Sequence, residues 1–161
     1  MDLKSRNNNL EKSLAIIMCT KNGAAYIYEQ LYSIKNQTYQ DFDIYISDNL
    51  SSDTTKKIIN SFKKENPHIN IILSDGDDKH FANNFIELVQ SVDKKYNYFA
   101  FCDQDDIWLD NKLINAISCF DGNSAQGYSS AFSTFNSAGK KITYQLGSQT
   151  KFDYFFQSAG P

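Results

Sequence analysis

Four short apolar runs recur along the first part of the chain, and each is followed by a polar turn and an amphipathic segment. A short, continuous apolar run is typical of a strand buried on both faces, and apolar residues at helical spacing are typical of helices that cover such a sheet. Strands that alternate with helices predict an α/β fold with a mostly parallel sheet flanked by helices. The predicted strands are residues 14–19, 42–47, 69–73 and 96–102, and the predicted helices are residues 24–36, about 54–64, 81–92 and about 111–117.

The composition changes after residue 121 toward serine, glycine, glutamine and aromatic residues. Two antiparallel strands around a tight turn are predicted there, at residues 128–135 and 142–146, and the beginning of another helix is predicted at residues 152–157. Residues 1–12 are polar and are expected to be a disordered lead-in. The sequence therefore predicts a first region at residues 13–120 and a second region at residues 121–161.

Charge and cysteine content exclude several classes of protein. A net charge of −3 gives no electrostatic basis for binding nucleic acid. Three cysteines without CxxC spacing argue against a disulfide framework or a zinc site, and Cys19 and Cys102 are expected to be buried in strands. The N-terminus lacks the apolar segment of a signal peptide and no stretch has the length of a membrane helix. A cytoplasmic location is therefore expected, with peripheral attachment at the inner face of the membrane left open.

Carboxylates follow the fourth predicted strand at once, in the segment Asp103-Gln104-Asp105. Ligands of open parallel sheets bind beyond the carboxyl ends of the strands, where these side chains are expected to lie. Neighbouring carboxylates repel each other unless a cation lies between them, and oxygen ligands favour Mg²⁺ or Mn²⁺. Such an ion can hold a diphosphate as a leaving group. The alternative is a loop whose aspartates only cap the helix after Trp108.

Polar residues that follow the other strands are further candidates. The carboxylate of Asp48 can accept a hydrogen bond from the imide N–H of uracil or thymine, but an aspartate at this position can equally stabilise a turn or cap a helix. Ser51 has the same two interpretations. His80 follows the third predicted strand, near the edge of the sheet where the strands end, and there it could approach a phosphate. Trp108 is expected to anchor the core.

Three segments together resemble the family 2 glycosyltransferases, which have the GT-A fold. These segments are LAIIMCTKNGAAYIYEQLYSIKNQTY, DIYISDNLSSDTT and YFAFCDQDDIWLDNKL, and they occur in the family's order. The last segment is similar to the rhamnosyltransferase-type members, as is FFQSAGP at the end of the chain. The resemblance implies that residues 13–120 form the nucleotide-sugar-binding half. It also implies that residues 121–161 begin an acceptor-side half that is incomplete here.

The resemblance also implies roles for individual residues. Thr20, Asn22 and Asp48 would surround the nucleobase and ribose, with Ser51 beside them. Asp103 would contact the ribose or the metal, and Asp105 would bind the Mn²⁺ or Mg²⁺ ion that bridges the diphosphate. The family inverts the anomeric centre with a carboxylate base, and that base is expected beyond Pro161.

One departure from the family pattern concerns the turn after the second strand. The family usually has Asp-Asp-Gly-Ser where this chain has Asp48-Asn49-Leu50-Ser51. Leucine tolerates a positive φ poorly. A changed turn beside Asp48 is therefore expected.

The functional prediction is a glycosyltransferase of polysaccharide or glycan biosynthesis. Its donor would be dTDP- or UDP-linked, its acceptor a glycan or a lipid-linked sugar, and a homodimer could form through an apolar surface where a missing C-terminal portion would pack. One alternative is a nucleotide-sugar-binding fragment without catalysis. A receiver-like signalling module would need acidic residues after the first strand, and a dinucleotide-dependent dehydrogenase would need GxGxxG there; the chain has neither.

Overall fold

Strands and helices alternate as the apolar pattern predicts, in a computed structural model that describes residues 13–77, 81–93, 95–120, 127–135 and 141–144. The chain divides into two compact units, Met1–Asn115 and Ala116–Pro161. The elements found in the described ranges are β1 (Leu14–Thr20), α1 (Ile27–Lys35), β2 (Phe42–Asp48), α2 (Thr55–Glu65), β3 (Ile71–Asp75), α3 (Phe81–Ser91), β4 (Tyr98–Cys102), α4 (Lys112–Ser118), β5 (Phe132–Phe135) and β6 (Lys141–Tyr144).

The sheet of the first unit contains four parallel strands in the order β3-β2-β1-β4. All seven residues of β1 are buried, which explains why this run is continuously apolar. The predicted third and fourth strands begin two residues too early. The N–H of Ile69 donates to the carbonyl of Asn66 in a turn, and the N–H groups of Asn97 and Tyr98 both donate to Ser13, so strand pairing starts only afterwards.

Side chains of β1 alternate between the two faces of the sheet. Ala15, Ile17 and Cys19 pack on one face with Leu88 of α3 and with Val92, which directly follows that helix. Residues of the opposite face, such as Ile16 and Met18, are fully buried together with the apolar stripe of α1. Cys19 and Cys102 are buried and free, as predicted, whereas Cys119 is exposed.

The second unit contains an antiparallel pair formed by β5 and β6, in which Phe132 pairs with Tyr144. β5 begins four residues after the predicted start at residue 128, and β6 begins one residue before the predicted start at residue 142. The predicted lead-in at residues 1–12, the predicted helix at 152–157 and His80 lie outside the described residues. The proposed division of roles between the two regions stays a prediction. In the ranges that the structure describes, no helix is long and apolar enough to cross a membrane.

Candidate functional site

The carboxyl ends of the four parallel strands lie at one edge of the sheet. Thr20 is in register with Asp48, and Asp48 is in register with Asp75. β4 ends two residues earlier along β1, where Met18 pairs with Cys102, so the acidic segment begins at the same edge. We call this edge, formed by the loops that follow β1, β2 and β4, the rim.

Asp48 holds the turn after β2 together. Its carboxylate is fully buried and accepts three hydrogen bonds: Oδ1 from Thr20 Oγ1 at 2.9 Å and from Ser51 Oγ at 2.6 Å, and Oδ2 from the backbone N–H of Ser51 at 2.9 Å. Thr20 is buried as well, while Ser51 is partly exposed. The buried carboxylate of Asp48 therefore stabilises the turn after β2 and its contact with the end of β1. The contact of Asp48 with a nucleobase stays a prediction.

Asn22 joins the loop after β1 to the loop after β2. Its backbone N–H donates to Ser51 Oγ at 2.8 Å, and its Oδ1 accepts from the N–H of Ser52 at 2.9 Å. Its φ is 50°, a left-handed conformation that asparagine adopts more readily than most residues. The side chain is exposed at the rim, so a ligand can reach Asn22 directly.

Leu50 adopts a φ of 53° and is 55% exposed. The turn has the left-handed backbone that a glycine would favour and that leucine tolerates poorly. A change of this turn relative to the family stays a prediction. The N–H of Leu50 donates to the carbonyl of Asp48, and the next N–H donates to the Asp48 carboxylate. These bonds on both sides hold the leucine in a strained conformation.

Replacing Leu50 with glycine is expected to raise the free energy of unfolding by roughly 0.5–1 kcal/mol. Relief of a left-handed non-glycine residue gains about 1–2 kcal/mol, and the added chain entropy of glycine costs about 0.5–1 kcal/mol. Urea unfolding measures the difference. Leu50→Ala is the matched control, because alanine keeps the Cβ and should show no gain; equal effects of the two substitutions would contradict the strain.

Three exposed carboxylates, those of Asp103, Asp105 and Asp106, lie in the loop after β4. Partial loss of hydration at the strand end and the charge of Asp105 raise the pKa of Asp103. Loss of hydration and the charges of Asp103 and Asp105 also raise the pKa of Asp106, against the opposing effect of Lys112. The side chains are therefore close enough to repel one another, and a cation between them would relieve that repulsion.

The carboxylates suit an ion that takes part of its coordination from a ligand. Among the described residues, no group of three or more histidine, cysteine, aspartate or glutamate side chains is placed to hold a metal ion. Mg²⁺ and similar hard ions are commonly bound by one or two carboxylates together with substrate phosphates and water. Asp103 and Asp105 fit that pattern, and their role as metal ligands stays a prediction.

Three buried polar side chains, two on α1 and one that follows it by two residues, face the acidic loop. Gln30, Ser33 and Gln37 are each at most 6% exposed. Gln30 Nε2 lies 2.6 Å from the thiol sulfur of Cys102, directly before the acidic segment. The signal in the sequence was three polar residues at helical spacing beside the apolar stripe, which an emphasis on apolar periodicity passes over.

Ser33 of α1 and Gln37, which follows α1, hold the far end of the acidic loop. The backbone N–H of Trp108 donates to Ser33 Oγ at 3.0 Å. Gln37 Nε2 donates to the carbonyl of Leu109 at 2.8 Å, and Gln37 Oε1 accepts from the N–H of Leu113 at 3.1 Å. Trp108 is 5% exposed, which confirms the prediction that it anchors the core. The acidic loop is thus fastened to α1 at both ends.

Residues 15–159 of the chain match the family described as "Glycosyl transferase family 2". The chain is 44% identical over 147 residues to the dTDP-rhamnosyl transferase RfbG of Shigella flexneri, an alignment that covers 89% of this chain and 51% of that protein. It is 32% identical over 110 residues to the UDP-Glc:alpha-D-GlcNAc-diphosphoundecaprenol beta-1,3-glucosyltransferase WfaP of Escherichia coli, covering 65% of this chain and 39% of that protein. The chain therefore spans about half, or less, of the length of these relatives.

Solved structures share the architecture at low sequence identity. TarS 1-349 from S. aureus in complex with UDP-GlcNAc matches with a TM-score of 0.60 and 21% identity, over 68% of this chain and 31% of that chain. The mannosyltransferase PcManGT from Pyrobaculum calidifontis, in complex with GDP-Man and Mn²⁺, matches with a TM-score of 0.59 and 20% identity, over 65% and 31%. These likenesses confirm the predicted α/β fold.

Proposed function

Because the chain belongs to glycosyl transferase family 2 and has the GT-A fold, we propose that it forms the donor-binding part of an enzyme that transfers a sugar from a nucleoside diphosphate to a glycan or a lipid-linked acceptor. The observation that carries the proposal is the carboxylate pair Asp103 and Asp105, which follows β4 at the edge of the sheet where β1 and β2 also end. The family match covers nearly the whole chain, so the receiver-like and dehydrogenase hypotheses have no support.

Asp103 and Asp105 would hold Mn²⁺ or Mg²⁺. The ion, when bound, stabilises the negative charge that develops on the departing diphosphate. Their mutual repulsion supports this role, because carboxylates crowded without a cation are costly in the folded state. The rest of the rim would bind the nucleoside: Asn22 is exposed to it, and the hydrogen bonds of Asp48 keep the loops in place before the ligand arrives.

This arrangement favours catalysis by pre-organisation. The loops after β1 and β2 are joined through Asn22 and Ser51, so little rearrangement is needed when a nucleotide binds. A rim that holds the diphosphate and nucleoside together also fixes the direction in which the anomeric carbon faces the acceptor. We assign no residue as the catalytic base.

The donor is proposed to be a dTDP-linked deoxysugar, with a UDP-linked sugar as the second choice. The 44% identity to a dTDP-rhamnosyl transferase supports this order. A glycan or lipid-linked acceptor would place the protein at the inner face of the membrane as a peripheral, cytoplasmic protein. A homodimer is a further proposed partner, and light scattering over a range of protein concentrations tests it.

Calorimetric titration of the wild-type chain with dTDP, UDP and GDP tests the proposal. We expect dTDP or UDP to bind in the presence of Mn²⁺ and to bind much more weakly after the metal is removed by a chelator. GDP serves as the control for nonspecific nucleotide binding. The donor-site proposal fails if the folded protein binds none of the nucleotides, or if binding is unchanged when the metal is removed.

A further inference from the structure

Gln104, the residue between the two proposed metal ligands, contacts the loop after β1 through both ends of its side-chain amide. Gln104 Oε1 accepts a hydrogen bond from the backbone N–H of Lys21 at 3.0 Å, and Gln104 Nε2 donates to the carbonyl of Lys21 at 3.3 Å. A primary amide that engages the N–H and C=O of one residue fixes both position and orientation. Residue 104 is thereby tied to a loop 83 positions away in the sequence.

Gly23 leaves the space that this contact requires. A Cβ placed on Gly23 would lie 2.3 Å from Gln104 Oε1 and 2.7 Å from Gln104 Cδ, far inside van der Waals contact. The three nearest heavy atoms all belong to Gln104, and the φ of Gly23 lies outside the left-handed region. A side chain at position 23 therefore conflicts with the observed position of the Gln104 side chain and not with the backbone conformation.

We propose that Gln104 is a positioning residue, which fixes the carboxylates of Asp103 and Asp105 relative to the loop carrying Asn22. We call the contact between the Gln104 amide and the Lys21 backbone the latch, and Gly23 leaves the space for it. The latch would set the distance between the diphosphate-binding and nucleoside-binding parts of the rim. Its effect on a ligand rests on the proposed function, whereas the contact itself does not.

The fastening of the acidic loop to α1 strengthens this inference. Cys102 and Trp108 are held by Gln30 and Ser33, so the loop is anchored before and after the carboxylates. Those anchors face α1 and leave the position of the carboxylates relative to the loop after β1 to Gln104. This explains why glutamine, whose amide both donates and accepts, suits position 104.

A double-mutant cycle tests the latch. Gln104→Met keeps the volume but removes both hydrogen bonds, and Gly23→Ala displaces the end of the Gln104 side chain. Each is expected to weaken Mn²⁺-supported dTDP or UDP binding by about 10-fold, the combined loss of two hydrogen bonds. The double variant should show the same loss of about 10-fold, because both substitutions remove one contact. A loss of about 100-fold in the double variant, which is the additive result, overturns the proposal.

A matched control separates positioning from general destabilisation. Gln40 also donates from its amide to backbone carbonyls, those of Lys35 at 3.0 Å and of Gln37, but it lies after α1. Gln40→Ala should leave the affinity for Mn²⁺ and nucleotide unchanged in the folded protein. An equal loss of affinity in Gln40→Ala counts against a specific role of Gln104.

Hydrogen exchange of the Lys21 amide tests, without any ligand, whether the latch forms in the folded protein. Exchange of this N–H is expected to become faster in Gln104→Met and in Gly23→Ala, and to stay at the wild-type rate in Gln40→Ala. Unchanged exchange in the first two variants overturns the latch. If wild-type protein binds no nucleotide but the exchange responds as expected, the proposed function fails and the latch stands.

Discussion

Replacing Asp105 with alanine is expected to weaken Mn²⁺-supported binding of dTDP or UDP by at least about 100-fold, since removing even a supporting residue of a metal site costs about 10–100-fold. The reason is that Asp105 would be one of two protein carboxylates on the ion, and without it the charge of the diphosphate is left largely uncompensated. Calorimetric titration with and without metal measures the loss. Binding that persists in the absence of metal should be the same in the variant and the wild type.

The stability of the metal-free variant makes this result interpretable. The charge of Asp105 helps to raise the pKa values of Asp103 and Asp106, so the folded state holds protons that the unfolded state releases. The contribution of these two groups to the free energy of unfolding therefore falls as the pH rises above the usual carboxyl range. Removing Asp105 relieves that repulsion, and the metal-free variant should be at least as stable as the wild type near neutral pH.

Asp93→Ala is the matched control for Asp105→Ala. Asp93 is exposed and lies between α3 and β4, at the opposite end of the sheet from the rim. The Asp93→Ala substitution removes the same charge without changing the proposed site, so nucleotide binding should be unchanged. Equal losses in the two variants, or full binding by Asp105→Ala, would show that the acidic loop does not bind the metal.

Replacing Asp48 with alanine is expected to lower the free energy of unfolding by about 3–5 kcal/mol, since each of its three hydrogen bonds contributes about 1–1.5 kcal/mol. The substitution removes three hydrogen bonds at once and leaves the Thr20 hydroxyl and the Ser51 N–H without their acceptor. Because native proteins are stable by only about 5–15 kcal/mol, this loss is a large share of the total. Urea unfolding followed by circular dichroism measures it.

Two further variants keep this prediction decidable if the alanine variant folds poorly. Asp48→Asn preserves the shape and one acceptor oxygen but sets an amide N–H₂ against the N–H of Ser51, so a smaller loss of about 1–3 kcal/mol is expected. Asp53→Ala removes an exposed carboxylate that accepts from the N–H groups of Ala24 and Thr55, and it should cost clearly less than Asp48→Ala. A ranking in which Asp53→Ala is the more damaging would contradict the structural role of Asp48.

The hydrogen bonds of Asp53 make its contribution to the free energy of unfolding depend on pH. Those from Thr55 hold the pKa of the Asp53 carboxyl below its ordinary value. A depressed carboxyl pKa contributes stability that is present above the unfolded value and is lost as the pH falls through the folded one. The stability difference between wild type and Asp53→Ala should therefore shrink in acid, in the opposite sense to Asp103 and Asp106.

Family membership and fold could both be inferred from the sequence. Runs such as residues 14–19 are apolar throughout, which favours a buried position, and their short length and polar flanking turns favour a strand. The switch from apolar to acidic residues at Cys102 and Asp103 marks the end of a strand, and parallel strands end at one edge. Local burial and periodicity thus sufficed to put the candidate residues at the rim.

Only the tertiary structure decided which partners those residues have. Gln104 meets Lys21 across 83 positions, yet nothing in its local pattern distinguishes it from an exposed glutamine. Asp48 could be a ligand-binding or a turn-forming residue from sequence, and its burial with three donors shows that it holds the turn. Periodicity encodes which face of an element is buried, because that depends on neighbours along the chain. Hydrogen-bond partners depend on where distant segments meet after the sheet has formed, and no local pattern carries that information.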